Sequence, residues 1–178
     1  MPSLVDNMVV SADRVSQLYM TIFAQEFSPC GKYLATANSY GDIAIYELDS
    51  VLKARSNKTH RNKFQGHEDP IFSLTSNEKY LISGSIGQIK GWLWSDIVSG
   101  SSINLSWTLS VPVNKAVGSR PEINCMILRG DVLYAAAGDG FIYAWSLENS
   151  EFKSLQPSLF WDPWHKFTLI HPHLIQAL

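Results

Sequence analysis

Three short segments of the chain carry one pattern in one phase. They are YGDIAIYEL from Tyr40 to Leu48, IGQIKGWLW from Ile86 to Trp94, and DGFIYAWSL from Asp139 to Leu147. Each has a turn glycine (Gly41, Gly87, Gly140) followed two residues on by isoleucine (Ile43, Ile89, Ile142). Five residues on comes an aromatic (Tyr46, Trp92, Trp145), and seven on a large apolar residue (Leu48, Trp94, Leu147). An internal repeat constrains the architecture before any single element is assigned. The glycines lie 46 and 53 residues apart, close to the roughly 40–45-residue period of a four-stranded propeller blade.

The flanking sequence fits that reading. Thr21 to Phe27, Tyr33 to Ala37 and Ile43 to Leu48 read as strands of a first repeat, with Ser28-Pro29-Cys30-Gly31-Lys32 and Asn38 to Asp42 as turns. Residues 49–63 read as a polar connector. A second repeat opens at Gly66-His67, with strands Ile71 to Thr75, Tyr80 to Ser83 and Gln88 to Trp94; residues 95–120 hold an outer strand, Leu105 to Val111. A third runs through Ile123 to Leu128, Val132 to Ala136 and Phe141 to Leu147, then Phe152 to Leu155. The expected fold is all-β, an incomplete propeller of about three blades in an open arc. Residues 21–155 form the blades, and residues 1–20 form an N-terminal segment with weak helical spacing from Val15 to Phe23. Residues 156–178 carry three prolines and no glycine, and so read as an irregular tail foreign to the repeat. A truncated or alternatively spliced product, or a mispredicted gene model, would give such a tail. Side chains two apart on a strand share a face, so the +2 and +5 residues face opposite ways. A blade covered on both sides can bury both, and Ile43, Ile89, Ile142, Tyr46, Trp92 and Trp145 are expected between blades.

Composition sets the remaining bounds. Hydrophobic residues make up 46% and the net charge is −2, so the chain can bury a core and is not globally basic. Cys30 and Cys125 lie in apolar strand-like contexts and are expected as two buried free thiols. The start lacks a basic region followed by a long apolar run, and no window reaches the roughly 18 apolar residues of a membrane span. Two glycosylation triplets, at Asn57 and Asn104, read as chance matches.

The aromatic-capped strands and the Gly66-His67 pair resemble the WD-repeat family. The segments LYMTIFAQEFSPCGKYLATANSYGDIAIYEL, FQGHEDPIFSL, GQIKGWLWSDIV and PEINCMIL are similar to a branch of it, the WD-repeat subunits of the THO/TREX assembly. This likeness covers about residues 18–148. It implies a nuclear, non-catalytic scaffold whose partners are the other THO subunits, acting in mRNA processing and export. In WD repeats a histidine, a strand Ser/Thr, a turn Asp and a strand Trp tie each blade together. The matching positions here are His67, Ser83 and Trp92 in the second repeat and Asp139 and Trp145 in the third, with Tyr46 in the first. No repeat carries the full set. Ile86 stands at the turn acid of repeat two, and Pro121-Glu122 and Ala135-Ala136 replace the histidine and serine of repeat three.

Nothing in the sequence reads as an active site, a metal site or a cofactor site. His67 reads as a structural loop histidine, and His165, His171 and His173 have no cysteine or carboxylate at ligand spacing. There is no nucleophile elbow and no phosphate-cradling loop, so neither an enzyme nor a small-molecule substrate is expected. Lys53, Arg55, Lys58, Arg61 and Lys63 form a basic patch that could meet RNA phosphates or act as a nuclear address. Interleaved aromatics are missing there, which favours a solvated loop. The alternative function is a substrate receptor of a cullin-type ubiquitin ligase. Trp145-Ser146-Leu147-Glu148 lacks the arginine common in such receptors, which counts against it.

Overall fold

The computed structural model describes residues 20–52, 61–100, 102–113, 118–146 and 153–155. Within them lie three antiparallel four-stranded sheets. The first runs β1 (Ile22–Phe27), β2 (Tyr33–Asn38), β3 (Asp42–Glu47) and β4 (Asn62–Gln65). The second runs β5 (Ser73–Ser76), β6 (Tyr80–Gly84), β7 (Gln88–Leu93) and β8 (Leu105–Ser110). The third runs β9 (Ile123–Arg129), β10 (Val132–Ala137), β11 (Ile142–Ser146) and β12 (Lys153–Leu155). The first strands pack in sequence, β1 on β5 and β5 on β9, so the sheets fan from a common inner side as blades of an unclosed arc. The turn glycines Gly41, Gly87 and Gly140 sit at φ of 79°, 64° and 84°, a region that glycine enters without the Cβ clash.

The core lies between sheets rather than within one. Tyr33, Ala35, Ala37, Ile43 and Ile45 of the first blade meet Leu74, Leu81, Trp92 and Trp94 of the second. Ile82, Ile89, Leu109 and Val111 of the second meet Ile123, Met126, Leu133, Ala135 and Trp145 of the third. Each blade therefore shows one face to the blade before it and the other to the blade after it. The +2 isoleucine points forward along the arc and the +5 aromatic points back.

That geometry explains where the burial expected from the sequence holds and where it does not. Ile43 and Ile89 are wholly buried, and Trp92 and Trp145 are each 5% exposed. Tyr46 and Ile142 are only half-buried. Tyr46 faces back from the first blade and Ile142 forward from the third, so among the described residues no blade covers either.

Three further departures have local causes. The connector expected over residues 49–63 ends in β4, and it begins with a short helix, α1 (Leu48–Leu52). A second helix, α2 (Trp94–Ser99), opens the segment read as strand and loop after residue 94. Both cysteines are exposed rather than buried. Cys30 lies in the β1–β2 turn, and the register shift opposite Ala136/Ala137 puts Cys125 on the forward face of the third blade. The N-terminal segment to residue 19, the tail 156–178 and its three histidines, Leu147 and Phe152 lie outside the described residues.

Gly91 shows how tightly the second blade is filled. The Trp107 indole lies where a Cβ at position 91 would stand, and its ring meets Tyr80 edge-on at 5.6 Å. Truncating the neighbouring forward contact, Ile89→Ala, should lower the unfolding free energy by about 2–5 kcal/mol, the cost of deleting a wholly buried aliphatic side chain. Urea titration followed by tryptophan fluorescence measures it, and an unchanged midpoint would contradict the packing.

Candidate functional site

The joint between the first two blades is organised by a buried polar network. The loop after β4 carries His67, which is 4% exposed, and its Nε2 lies 2.8 Å from the Ser83 hydroxyl on β6. The Trp92 indole on β7 donates to the same hydroxyl at 2.9 Å. Ser83 and Trp92 lie on the backward face, so both reach the loop arriving from blade one. At this joint the backbone of Gly41 leaves no room for a side chain, because the carbonyls of His67 and Asp69 occupy that space. The Gly66 and His67 amides both donate to the Gly41 carbonyl, at 2.9 and 3.1 Å. Ile86 occupies the turn position where an acid could have compensated the imidazole. Lys90 is nearby instead, donating to the Gly66 carbonyl at 3.0 Å. Burial first, and then the Lys90 charge, push the His67 pKa down from 6.5 to about 4. The imidazole is therefore neutral at physiological pH and acts as a hydrogen-bonding strut.

The other blades reach the same end by different residues. In blade one, Asn38 takes the role of a turn acid. Its side-chain oxygen accepts from the Tyr40 and Asp42 amides, both at 2.9 Å. The signal for this was an asparagine two residues before Tyr40-Gly41, a residue type that bonds its own turn. In blade three, Asp139 accepts from the Phe141 amide at 3.2 Å and from the Tyr143 hydroxyl at 2.8 Å. Burial, then that bond and the Asp139 charge, push the Tyr143 phenol up to about 12. Tyr143 also stacks against Trp145, with ring centres 6.1 Å apart. It fills the joint that Ala135, at the position of Ser83, leaves without a hydroxyl.

Of the basic patch, Lys53, Arg55 and Lys58 lie outside the described residues. Arg61 and Lys63 are both turned to neighbours within the protein. Arg61 donates to the Val98 carbonyl at 2.9 Å, pairs with Glu47 at 3.4 Å and lies 5.5 Å from the Tyr33 ring centre. Lys63 pairs with Asp42 at 2.8 Å.

A cleft of about 260 Å³ opens beside the His67 network, lined by Glu68, Asp69, Ser85, Gln88, Lys90 and Arg120 among others. It sits where the loop from blade one, the β6–β7 turn and the entry to blade three converge. The side chains of Glu68, Asp69, Gln88 and Arg120 make no hydrogen bond or ion pair with the described residues. The sequence did not single them out, because loop residues carry no periodic signal. Chemically the cleft offers both signs of charge over a fixed framework.

The blades, their two-faced packing and the histidine–serine–tryptophan joint define an incomplete β-propeller with the architecture of WD repeats. Residues 58–92 match the family described as WD domain, G-beta repeat. Among solved structures, the Cps50 (Swd1) β-propeller domain of Myceliophteria thermophila superposes with a TM-score of 0.64 at 12% identity, covering 82% of this chain and 45% of that one. The RRP9 WD40 repeats give 0.56 at 21% identity, covering 75% and 36%. At those identities the likeness is one of fold. In sequence the chain is similar to THO complex subunit 6. It is 38% identical to the homolog from Danio rerio over 147 residues, 79% of this chain and 45% of that protein. It is 35% identical to the Homo sapiens protein over 143 residues, 78% of this chain and 41% of that one. The chain thus spans less than half the length of these relatives.

Two measurements test the joint. Ser83→Ala leaves both the His67 and Trp92 nitrogens without their partner, so it should cost more than the usual single hydrogen bond, about 2–4 kcal/mol if each orphan costs about 1–2. Valine at the same position should not rescue it. The second is pH dependence. The folded His67 pKa lies below the unfolded value, so protonation favours the unfolded chain. Its contribution is complete above pH 6.5 and is lost as the pH falls toward 4, by on the order of 3 kcal/mol. The difference in stability between wild type and His67→Gln, followed from pH 7.5 to 4, should narrow across that window. A constant difference would show that His67 is not the titrating group.

Proposed function

We infer that the chain is a non-catalytic scaffold element of a THO-type assembly, acting in the nucleus in transcription-coupled mRNA processing and mRNA export. The observation that carries this reading is the 35–38% identity to THO complex subunit 6 over 78–79% of the chain. The geometry supports it in kind. The buried His67, Ser83 and Trp92 are spent on holding two blades together, and Glu68, Asp69 and Arg120, without internal partners among the described residues, line one loop-end cleft. Such a surface is suited to docking another subunit. The partners in this reading are the other THO subunits, and any association with RNA runs through them.

Purification of a tagged chain from nuclear extract tests it. Other THO subunits should be enriched with the chain, and recovery of a cullin adaptor instead would support the ubiquitin-ligase alternative. If the loop-end cleft is the docking surface, Asp69→Lys combined with Arg120→Glu should lower recovery of THO subunits at least about tenfold, as loss of paired interfacial charges does. The melting temperature should stay within a few degrees, because neither side chain has a hydrogen-bond or ion-pair partner to lose among the described residues. Undiminished recovery would move the docking surface elsewhere on the arc.

A further inference from the structure

Blade two lacks, at its tight turn, an acid that blade three has. Asp139 stands just before the turn glycine Gly140 and accepts bonds from Phe141 and Tyr143, whereas the residue before Gly87 is Ile86. The consequence falls on His67. The Ser83 hydroxyl accepts from the Trp92 indole at 2.9 Å and has one proton to give. His67 Nε2 lies 2.8 Å away and the Lys90 carbonyl 3.4 Å, so the nearer nitrogen takes that proton. The tautomer follows: Nε2 accepts, and the ring's own proton is on Nδ1. Nδ1 has no hydrogen-bond partner among the described residues, although His67 is only 4% exposed. A donor so placed costs stability until an acceptor meets it. His67 lines the cleft at the loop ends, and other donors line it too. Lys90 gives one of its three ammonium protons to the Gly66 carbonyl and keeps two. The Arg120 stem lies where a Cβ at position 87 would stand, so the turn glycine makes its seat. Glu68 and Asp69 line the same cleft, and among the described residues neither pairs with Lys90 or Arg120.

We propose that the cleft seats an acidic side chain from an extended segment of a partner protein, in place of the acid missing at position 86. The carboxylate accepts from His67 Nδ1, Lys90 and Arg120. A basic residue two places along the segment, on the same side of an extended chain, meets Glu68 and Asp69. This deepens the docking role given to the cleft and rests on that reading. A carboxylate is the acceptor that gains most here, because two of the three donors carry full positive charge. The volume of about 260 Å³ falls below the roughly 300–1,000 Å³ of small-molecule sites and suits one or two side chains. Glu68 and Asp69 set like charge against a run of phosphates, so a nucleic-acid backbone is disfavoured where a single acid followed by a base is not. The seat is walled by described residues of all three blades and uses neither end face of the arc.

Nitrogen-15 NMR of the full 178-residue chain, labelled at histidine, tests it. His67→Gln assigns the His67 signals by their loss. The titrant is a capped glycine pentapeptide carrying one aspartate and, two residues on, one arginine. Taken to about 10 mM, enough to register millimolar affinity, it should shift His67 Nδ1 saturably. Asparagine in place of the peptide's aspartate should weaken binding at least about tenfold, as loss of a charged hydrogen-bond partner does. A uridylate decamer should leave Nδ1 unmoved. Arg120→Gln should also weaken the peptide about tenfold with the folded spectrum unchanged, since that side chain has no hydrogen bond or ion pair to lose among the described residues. Ile86→Asp supplies the acid from within the chain. In that variant the peptide should bind at least about tenfold more weakly, the seat being filled. Nδ1 should then show, without peptide, the shift that the peptide induces in wild type. If Ile86→Asp does not fold, Arg120→Gln still decides. A wild-type spectrum with the ring proton on Nε2 would overturn the proposal. So would an Nδ1 signal unmoved by the peptide, a response that survives the asparagine change, or an equal response to uridylate. Recovery of THO subunits tests the scaffold reading separately: its loss with the peptide response intact strikes that reading alone, and a silent Nδ1 with recovery intact strikes this one alone.

Discussion

Everything in this fold depends on sheets that must be covered on both faces. A blade is one sheet thick, so its apolar residues cannot be hidden by folding the sheet on itself. They are hidden only by the next blade, and the turn glycine sets the phase at which this happens. Each Ile at +2 then closes the joint ahead and each aromatic at +5 closes the joint behind. Stability is thus stored in the spaces between repeats, as in other stacked arrays where each unit contacts only its neighbours.

The polar groups follow the same logic. Ser83 serves a histidine from the incoming loop and an indole from its own sheet, so one hydroxyl ties three chain segments. Where serine is replaced by Ala135, Tyr143 and Asp139 supply a different bond on the same face. The joint tolerates a change of chemistry because hydrophobic phase, rather than one fixed hydrogen-bonded set, defines the blade. That is also why a chain lacking a complete polar set in any repeat still gives three regular sheets.

Much of this was legible in the sequence, and the misses share a cause. Inner and middle strands were readable because their alternation is strong and glycine marks their turns. The outer strand β4 was not: Asn62-Lys63-Phe64-Gln65 carries one apolar residue, since an outer strand on the rim buries little. The helices α1 and α2 are too short for a 3.6-residue period to show. Cys125 escaped because a register shift, invisible in sequence, turned it away from the joint. Tyr46 and Ile142 were read as buried between blades and are only half-buried, because burial depends on a neighbour that a local pattern cannot count. The cleft was not legible at all, as Glu68, Asp69 and Arg120 come together only through the convergence of three loops.

The rim of the first joint bears on how the arc bends. Arg61 and the adjacent Asn62 donate to the carbonyls of Val98 and Ile97, at 2.9 and 2.7 Å, and so fasten the outer edge of blade one to the end of α2 in blade two. The same joint is pinned at its inner edge, where the Ser76 hydroxyl reaches Glu26 and the Phe27 carbonyl. Blades one and two are thus fastened to each other at both radii. The second joint is bonded near its inner strand, through Ser73 to the Ile123 carbonyl and Ile123 to the Ser85 carbonyl. Among the described residues it has no matching clasp at the rim. Among the described residues, the side-chain and backbone hydrogen bonds that hold blade three to blade two therefore lie close to the axis, and the outer part of that joint is held by apolar packing of Trp107 and Leu109.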